Sequence, residues 1–333
     1  MATLRDIRNR ITGVKSIEKI TSAMKMVSSV KVRKAQKQAE NARPFYQKIE
    51  KMLVSLAKSG EVYDNPLFKA PNEEVKKVIF FVIAGDKGLC GSFNSALFKY
   101  VTHCLDKEFP ARYPNSEVQL VLFGNKAISH FKKKNYKILH TFPNVFQPLD
   151  YSIVLESNES VVKRFLNSEI DIVKVFYSKF VNMMKQEPTR FQLLPFNLSH
   201  NLHPNTHNQE DIDPHSPEYD DTIISSSLSS ISEEAVSGTN IKKAFSPDYI
   251  FEPDKNTIIN NLVNQYINLN IWGPLLESNA AEQAARLFAM DKATQNANDL
   301  IADLELQFNN VRQEAITTEM LEIVGGAEAL KSS

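Results

Sequence analysis

The sequence predicts an α/β domain joined to a long antiparallel α-helical coiled coil formed by the N- and C-terminal helices. Helical periodicity runs for dozens of residues at both ends, and the two ends carry opposite charge. Between them, apolar strand-like runs alternate with shorter helical stretches.

At the N-terminal end, Leu4, Ile7, Ile11, Val14, Ile17, Ile20, Met24, Val27 and Val30 recur at intervals of three and four, which predicts one helix over residues 4–57 with these side chains along its seam. Thr3 and Asp6 have the spacing of a capping pair at its start. Pro44, which lacks an amide donor and crowds the preceding turn, is expected to bend or interrupt it. The second long helix is predicted over residues 279–324, which contain neither Gly nor Pro. It has an apolar stripe through Ala284, Leu287, Met290, Ala293, Ala297, Leu300, Leu304, Phe308, Val311 and Ala315, and Gly325 and Gly326 are expected to stop it. At a rise of about 1.5 Å per residue this helix is roughly 70 Å long, so it must project from any ordinary domain. Residues 1–58 hold 14 Lys and Arg against 4 Asp and Glu, whereas residues 273–331 hold 4 against 10. Complementary near-heptad helices at opposite chain ends suit an antiparallel pair, the alternative being two separate helices packed on a globular core.

The intervening chain shows strand-like runs at Lys77–Ile83, Val118–Phe123, Lys137–Thr141, Ile172–Val181 and Phe191–Phe196, with helical stretches near 94–109, 125–134 and 157–168. That order predicts a small doubly wound or mixed sheet. Residues 197–246 then turn polar, with ten serines, five asparagines and four of the seven histidines, and read as a flexible insertion. The chain thus divides into an N-terminal helix (1–57), an α/β domain (75–196), the insertion (197–246) and a closing segment with the C-terminal helix (247–330).

Composition narrows the function classes. With 333 residues and 42% hydrophobic content the chain can bury a real core, and its longest apolar run, the seven residues of VIFFVIA, is far short of a membrane span of about 20. The N-terminal residues lack the apolar centre of a secretory signal, and their helical register continues past residue 40, so they read as structure and not as a transit peptide. Two cysteines, Cys90 and Cys104, make no disulfide framework.

The stretch VIFFVIAGDKGLCGSFNSALFKYV, residues 78–101, resembles a phosphate-binding loop in outline: a strand, three glycines, a helix. Yet GDKGLCG has neither the Gly-Lys-Ser/Thr of a P-loop nor the G-x-G-x-x-G of a dinucleotide loop. Glycines three apart fit a strand-to-helix turn that needs positive φ or close packing. Cys90 has no His or carboxylate nearby in sequence to activate it and reads as a buried thiol. His200, His203, His207 and His215 could in principle ligate a metal, but Pro204 breaks the helix that would align the first three. Lys25, Lys31, Arg33, Lys34 and Lys37 make the first helix basic without aromatic interleaving, which favours a solvated face or an acidic protein partner over nucleic acid. No cofactor is expected.

Five segments together resemble the γ subunits of F-type ATP synthases: ITSAMKMVSSVKVRKAQ (20–36), GDKGLCG (85–91), YIFEPD (249–254), AAEQAARLFAMDKAT (280–294) and FNNVRQEAITTEMLEIVGGAEAL (308–330). The resemblance spans nearly the whole chain in order. It implies a central rotor shaft inside a ring of α and β subunits, with the α/β domain below it against the ε subunit and the ring of c subunits. It implies no catalytic site. Ion flow, of H+ or Na+, turns the shaft, and ATP is made on β. The expected location is peripheral, on the cytoplasmic face of a bacterial inner membrane, with no insertion into the bilayer.

Carried over by position, the resemblance implies that Arg312 and Gln313 grip a loop of β. Met24 and Arg286 are implied at the level where an acidic lever of β meets the shaft, and Tyr249 and Glu252 at the contact with the c ring. Taken alone, Met24 reads as seam, Arg286 as a surface charge and Glu252 as part of a turn. Gly273 and Pro274 fall where the shaft should be continuous and predict a kink or loosening near its base. The insertion lies where chloroplast relatives carry a redox-regulatory segment but contains no cysteine, so it cannot hold a thiol switch.

Overall fold

The computed structural model describes residues 3–57, 65–68, 75–196 and 255–331. The first helix, α1, runs Leu4–Ala57. Thr3 and Asp6 close its start reciprocally: the Asp6 amide donates to Thr3 Oγ1 (3.3 Å) and the Thr3 amide to Asp6 Oδ2 (3.2 Å). Pro44 lies within α1 without interrupting it.

The last helix, which we label α6, is longer than expected, Lys255–Lys331, and passes unbroken through Gly273 and Pro274 and through the Gly325–Gly326 pair. The expectation that Gly325 and Gly326 stop the helix is thereby corrected. A helical glycine costs only about 1 kcal/mol relative to alanine, so a glycine pair alone does not end a helix. Gly273 serves the approach of α1: a Cβ there would lie 3.0 Å from the Tyr46 hydroxyl, and that hydroxyl donates to the Leu269 carbonyl at 2.8 Å, in the turn beside the proline.

α1 and α6 pair antiparallel. Lys15 meets Glu305 (2.7 Å), Thr21 Oγ1 meets Thr294 Oγ1 (2.8 Å), Lys25 meets Asp291 (2.5 Å) and Tyr46 meets Leu269, so numbers fall on one helix as they rise on the other. On α6 the seam follows the predicted stripe as far as Val311 except at Leu300, and on α1 it follows it at Leu4, Ile7, Ile11, Val14 and Met24 but departs from it at Ile17, Ile20, Val27 and Val30. Ile7, Thr21, Ser28, Ala35, Ile49 and Leu56 are buried on α1, at multiples of seven residues, and Met290, Ala297 and Leu304 on α6. Ile17, Ile20, Val27 and Val30 face outward. Thr21, Ser28 and Ala35 on α1 and Ala297 on α6 thus put small and hydroxyl side chains in the middle of the seam, beside Val32 and Met290.

Between the helices lie β1 (Lys77–Ile83), α2 (Phe93–His103), which continues through a π-turn into α3 (Phe109–Arg112), β2 (Glu117–Phe123), α4 (Asn125–Phe131), β3 (Lys137–Phe142), α5 (Ser152–Leu166), β4 (Ile172–Phe180) and β5 (Gln186–Leu194). The sheet has the order β3-β2-β1-β4-β5, parallel except for the β4–β5 hairpin, so the predicted mixed doubly wound sheet is present. Val78, Phe80 and Val82 face α2, α3 and α4, whereas Ile79, Phe81 and Ile83 face α5, the base of α6 and the end of α1. Both faces are covered, and for that reason β1 reads as an unbroken apolar run and not as an alternating one. The strand order changes direction between β1 and β4, which places residues 84–92 where doubly wound sheets open their ligand crevice.

Gly124, after β2, has φ of 90° and ψ of 144°, and a Cβ there would lie 2.1 Å from the Ala84 carbonyl oxygen. Gly124→Ala is expected to destabilise the fold by about 3 kcal/mol in a denaturant titration, since it adds a backbone clash to a glycine-only conformation. Gly13→Ala, in an open position of α1, serves as the control and is expected to be neutral or to stabilise by up to about 1 kcal/mol.

Candidate functional site: the shaft surface and its joint with the sheet

The loop after β1 is stitched to its surroundings by polar groups. The Gly85 amide donates to Asn94 Oδ1 (2.9 Å), and the Asp86 carboxylate accepts from the amides of Asn125 (3.0 Å) and Phe146 (2.9 Å). Above it sits α6. Glu282 and Arg286, one turn apart, form an ion pair whose side chains are 3% and 9% exposed. The guanidinium also donates to the carbonyls of Gly88 (3.2 Å) and Lys87 (3.4 Å) and to Gln283 Oε1 (3.0 Å). Gly85 has no room for a side chain, because its Cβ would lie 2.8 Å from the Glu282 carboxyl. The crevice at the end of β1 is therefore filled by a carboxylate, the wrong charge for a phosphate site.

Burial pushes the Glu282 carboxyl up from its ordinary range, and the adjacent Arg286 guanidinium opposes that shift. Cys90 is buried in the same loop, where burial and then Glu282 raise its thiol and Asn94 Nδ2 approaches Sγ at 3.2 Å. Cys104 is fully buried and is pushed up to about 12, chiefly by burial, with Arg190 Nη1 3.0 Å from its sulfur. A raised thiol pKa works against nucleophilic chemistry at either cysteine.

The shaft surface lies above this joint. Met24 is half-buried, flanked by the outward-facing Ile17, Ile20 and Val27. Arg286 is not the surface charge its sequence neighbours suggested, since its donors are committed to Glu282, Gln283 and the loop carbonyls. Among the described side chains Val311 is the last partly buried one on α6; Arg312 and Gln313 are both exposed, so neither enters the seam. Past them Ile316, Met320, Leu321, Ile323 and Val324 are exposed as well. Tyr249, Glu252, the four histidines of the insertion and the whole of 197–246 lie outside the described residues. Among the described residues no three His, Cys, Asp or Glu side chains cluster as metal ligands, and no helix is long and apolar enough to cross a membrane. Sequence reasoning missed Glu282 as the partner of Arg286. The available signal was a carboxylate four residues before an arginine inside the otherwise apolar AAEQAARLFAM.

The sequence matches the family described as ATP synthase over residues 3–330. It is 37% identical over 332 residues to the ATP synthase gamma chain of Chlorobium limicola and 36% identical over 333 residues to that of Chloroherpeton thalassium, covering 100% of this chain and of each relative. The fold resembles a chain of the Euglena gracilis mitochondrial ATP synthase OSCP/F1/c-ring structure with a TM-score of 0.61 at 17% identity, covering 98% of this chain and 94% of that one. A chain of the Tetrahymena thermophila mitochondrial ATP synthase central stalk and c-ring superposes with a TM-score of 0.51 at 22% identity, covering 82% and 99%.

Removing the guanidinium alone strands a buried carboxyl. Arg286→Ala is expected to destabilise the chain by about 3 kcal/mol, and Arg286→Leu with Glu282→Gln by clearly less, because the pair's desolvation is then removed with its attraction. A double-mutant cycle by chemical denaturation measures the difference.

Proposed function

This chain belongs to the ATP synthase gamma-chain family, and we propose that, as the central rotor stalk of such a complex, it transmits energy without performing chemistry of its own. The observation that carries this reading is the build of the shaft. Two helices pair through a seam that includes Thr21, Ser28, Ala35 and Ala297 while Ile17, Ile20, Val27 and Val30 face outward, and among the described residues the crevice at the end of β1 is filled by Glu282. Such a shaft offers unlike faces around its axis. When it turns inside a ring of α and β subunits, each β meets a different face, and the difference in contact free energy biases its conformation.

The same reading assigns residues to partners. Arg312 and Gln313, exposed just beyond the last seam position, hold a loop of β. Met24 meets β lower on the shaft. Arg286, with its donors committed within the chain, supports that level by fixing the joint beneath it. Tyr249 and Glu252 face the c ring, and the ε subunit packs on the α/β domain. The chain then sits at the periphery of the membrane, on the cytoplasmic face in a bacterium, which agrees with the bacterial origin of its gamma-chain relatives.

The test uses the assembled complex carrying Arg312→Ala with Gln313→Ala. A charged hydrogen bond contributes about 1.5–3 kcal/mol, so ATP hydrolysis and ATP-driven ion pumping are expected to fall together by roughly tenfold or more, with assembly intact. Rates within about twofold of the unmodified complex overturn the assignment of these two residues. With both cysteines buried and their thiols raised, the hydrolysis rate of the unmodified complex is expected to be the same under reductant and oxidant; a severalfold change would count against that.

A further inference from the structure

The side of the sheet away from the shaft is strongly basic. Residues 93–137, which supply α2, α3, α4 and their connections, hold eight Lys and Arg against three Asp and Glu, in a chain whose totals are 39 of each. This layer covers Val78, Phe80 and Val82, on the face of β1 opposite to the one packed by α1 and α6. Three contacts hold α2 and the turn after it beside the end of α4. The Phe98 and His130 rings stack at 4.5 Å, Lys134 Nζ donates to Thr102 Oγ1 (3.2 Å), and the Tyr136 hydroxyl donates to Asp106 (2.7 Å). Residues four apart lie on one side of a helix, so this packing brings the exposed Lys99 and Lys107 alongside the exposed Lys132 and Lys133.

The anions of this layer are already engaged. Glu108 pairs with Arg190, Glu117 with Lys137 (2.6 Å), and Asp106 accepts the bond from Tyr136. Among the described residues Lys99, Lys107, Lys132 and Lys133 enter no ion pair. Their positive field is felt nearby: burial lowers the pKa of His130, and Lys134 and Lys133 lower it further. The opposite charge is present in the chain itself. EDIDPHSPEYDD, residues 210–221, carries six carboxylates and no Lys or Arg. We propose that this acidic stretch, which lies outside the described residues, docks on the lysine face formed by Lys99, Lys107, Lys132, Lys133 and Lys134.

The points where the chain leaves and re-enters the described fold allow this. Phe196, just after β5, is fixed by a bond from its amide to the Leu67 carbonyl (2.8 Å) and by its ring against Tyr266 (5.1 Å), and α6 begins at Lys255. The 14 residues from Phe196 to Glu210 span up to about 46 Å, and the 34 from Asp221 to Lys255 span more. From β5 to β3 the sheet is only four strand spacings wide, about 19 Å. A tether of this length holds the stretch at an effective concentration in the millimolar range, so ion pairs that are individually weak suffice together. The other basic surface, on α1, is a poorer fit, because Lys15 and Lys25 there already pair with Glu305 and Asp291 of α6. A stretch docked on α2 and α4 leaves the surface of the shaft free.

The experiment is carbodiimide cross-linking of the full-length chain, which joins a carboxylate directly to a lysine amine in contact with it, read by peptide mass spectrometry on an equal mixture of light and isotope-labelled chains. Links within one copy from residues 210–221 to the five lysines at about 20 mM salt, falling at least about fivefold at about 0.5 M, support the proposal. Protection of the stretch from a Glu-specific protease is the second readout. Lys132→Glu with Lys133→Glu is expected to lose both the links and the protection. Lys132→Arg with Lys133→Arg keeps the charge but removes two of the reactive amines, and is expected to keep the protection. Circular dichroism and thermal melting verify the fold of each variant. Links running mainly between copies would give the face to a second chain, and links mainly to α1 would place the stretch elsewhere; either overturns the proposal. So does an absence of links to this face, or protease sensitivity in the glutamate variant equal to that of the unmodified chain.

Discussion

Glu282 and Arg286 stand one turn apart on α6 and are pressed against the backbone of residues 85–88, and the arrangement of the whole chain depends on that contact. The shaft joins a globular unit only near its base, and two helices resting on a sheet through aliphatic contacts alone could slide. An ion pair removed from water cannot slide without leaving a charge uncompensated in the interior. By giving the remaining guanidinium donors to loop carbonyls, the pair sets both the height and the rotation of α6 relative to β1. Gly85 is the complement of this device: its missing side chain is the space into which the carboxylate fits.

Much of the fold was legible because it follows from periodicity. The limits of α1 and the central strand β1 were read directly from the apolar pattern, and the capping pair at Thr3 and Asp6 from its spacing. The phase of the shaft was legible along α6 and at the start of α1, but not in the middle of α1. There the eye follows Ile17, Ile20, Val27 and Val30, but these are outward-facing, and the seam runs through Thr21, Ser28, Val32 and Ala35. Where hydroxyl and small residues take seam positions, hydrophobicity alone points to the wrong face. The packing role of Gly273 was not legible for a related reason, since a glycine that admits a neighbouring tyrosine looks in sequence like one that loosens a helix.

The functional residues divide the same way. Arg312 and Gln313, adjacent polar residues in a helix, were legible as candidates for the surface, and both are exposed. Arg286 could not be placed from sequence because its partners, the carbonyls of Lys87 and Gly88, are about two hundred residues away and carry no side-chain signature. The lysine face was legible only in part: Lys132, Lys133 and Lys134 stand together in sequence, but Lys99 and Lys107 join them only because α2 packs beside the end of α4.

Because Lys15 meets Glu305 and α1 starts eleven residues earlier, at Leu4, among the described residues the part of α6 beyond about Arg312 has no second helix beside it. These last turns, about 30 Å of them, form a cantilever on a doubled beam. Two helices bonded side by side resist bending far more than one, so mechanical compliance is concentrated in the tip. A stiff rod rotating in a close-fitting sleeve binds whenever the two axes disagree. A rod with a pliant end can wobble at that end and keep turning, and the start of α1 at Leu4 sets where the stiffness ends.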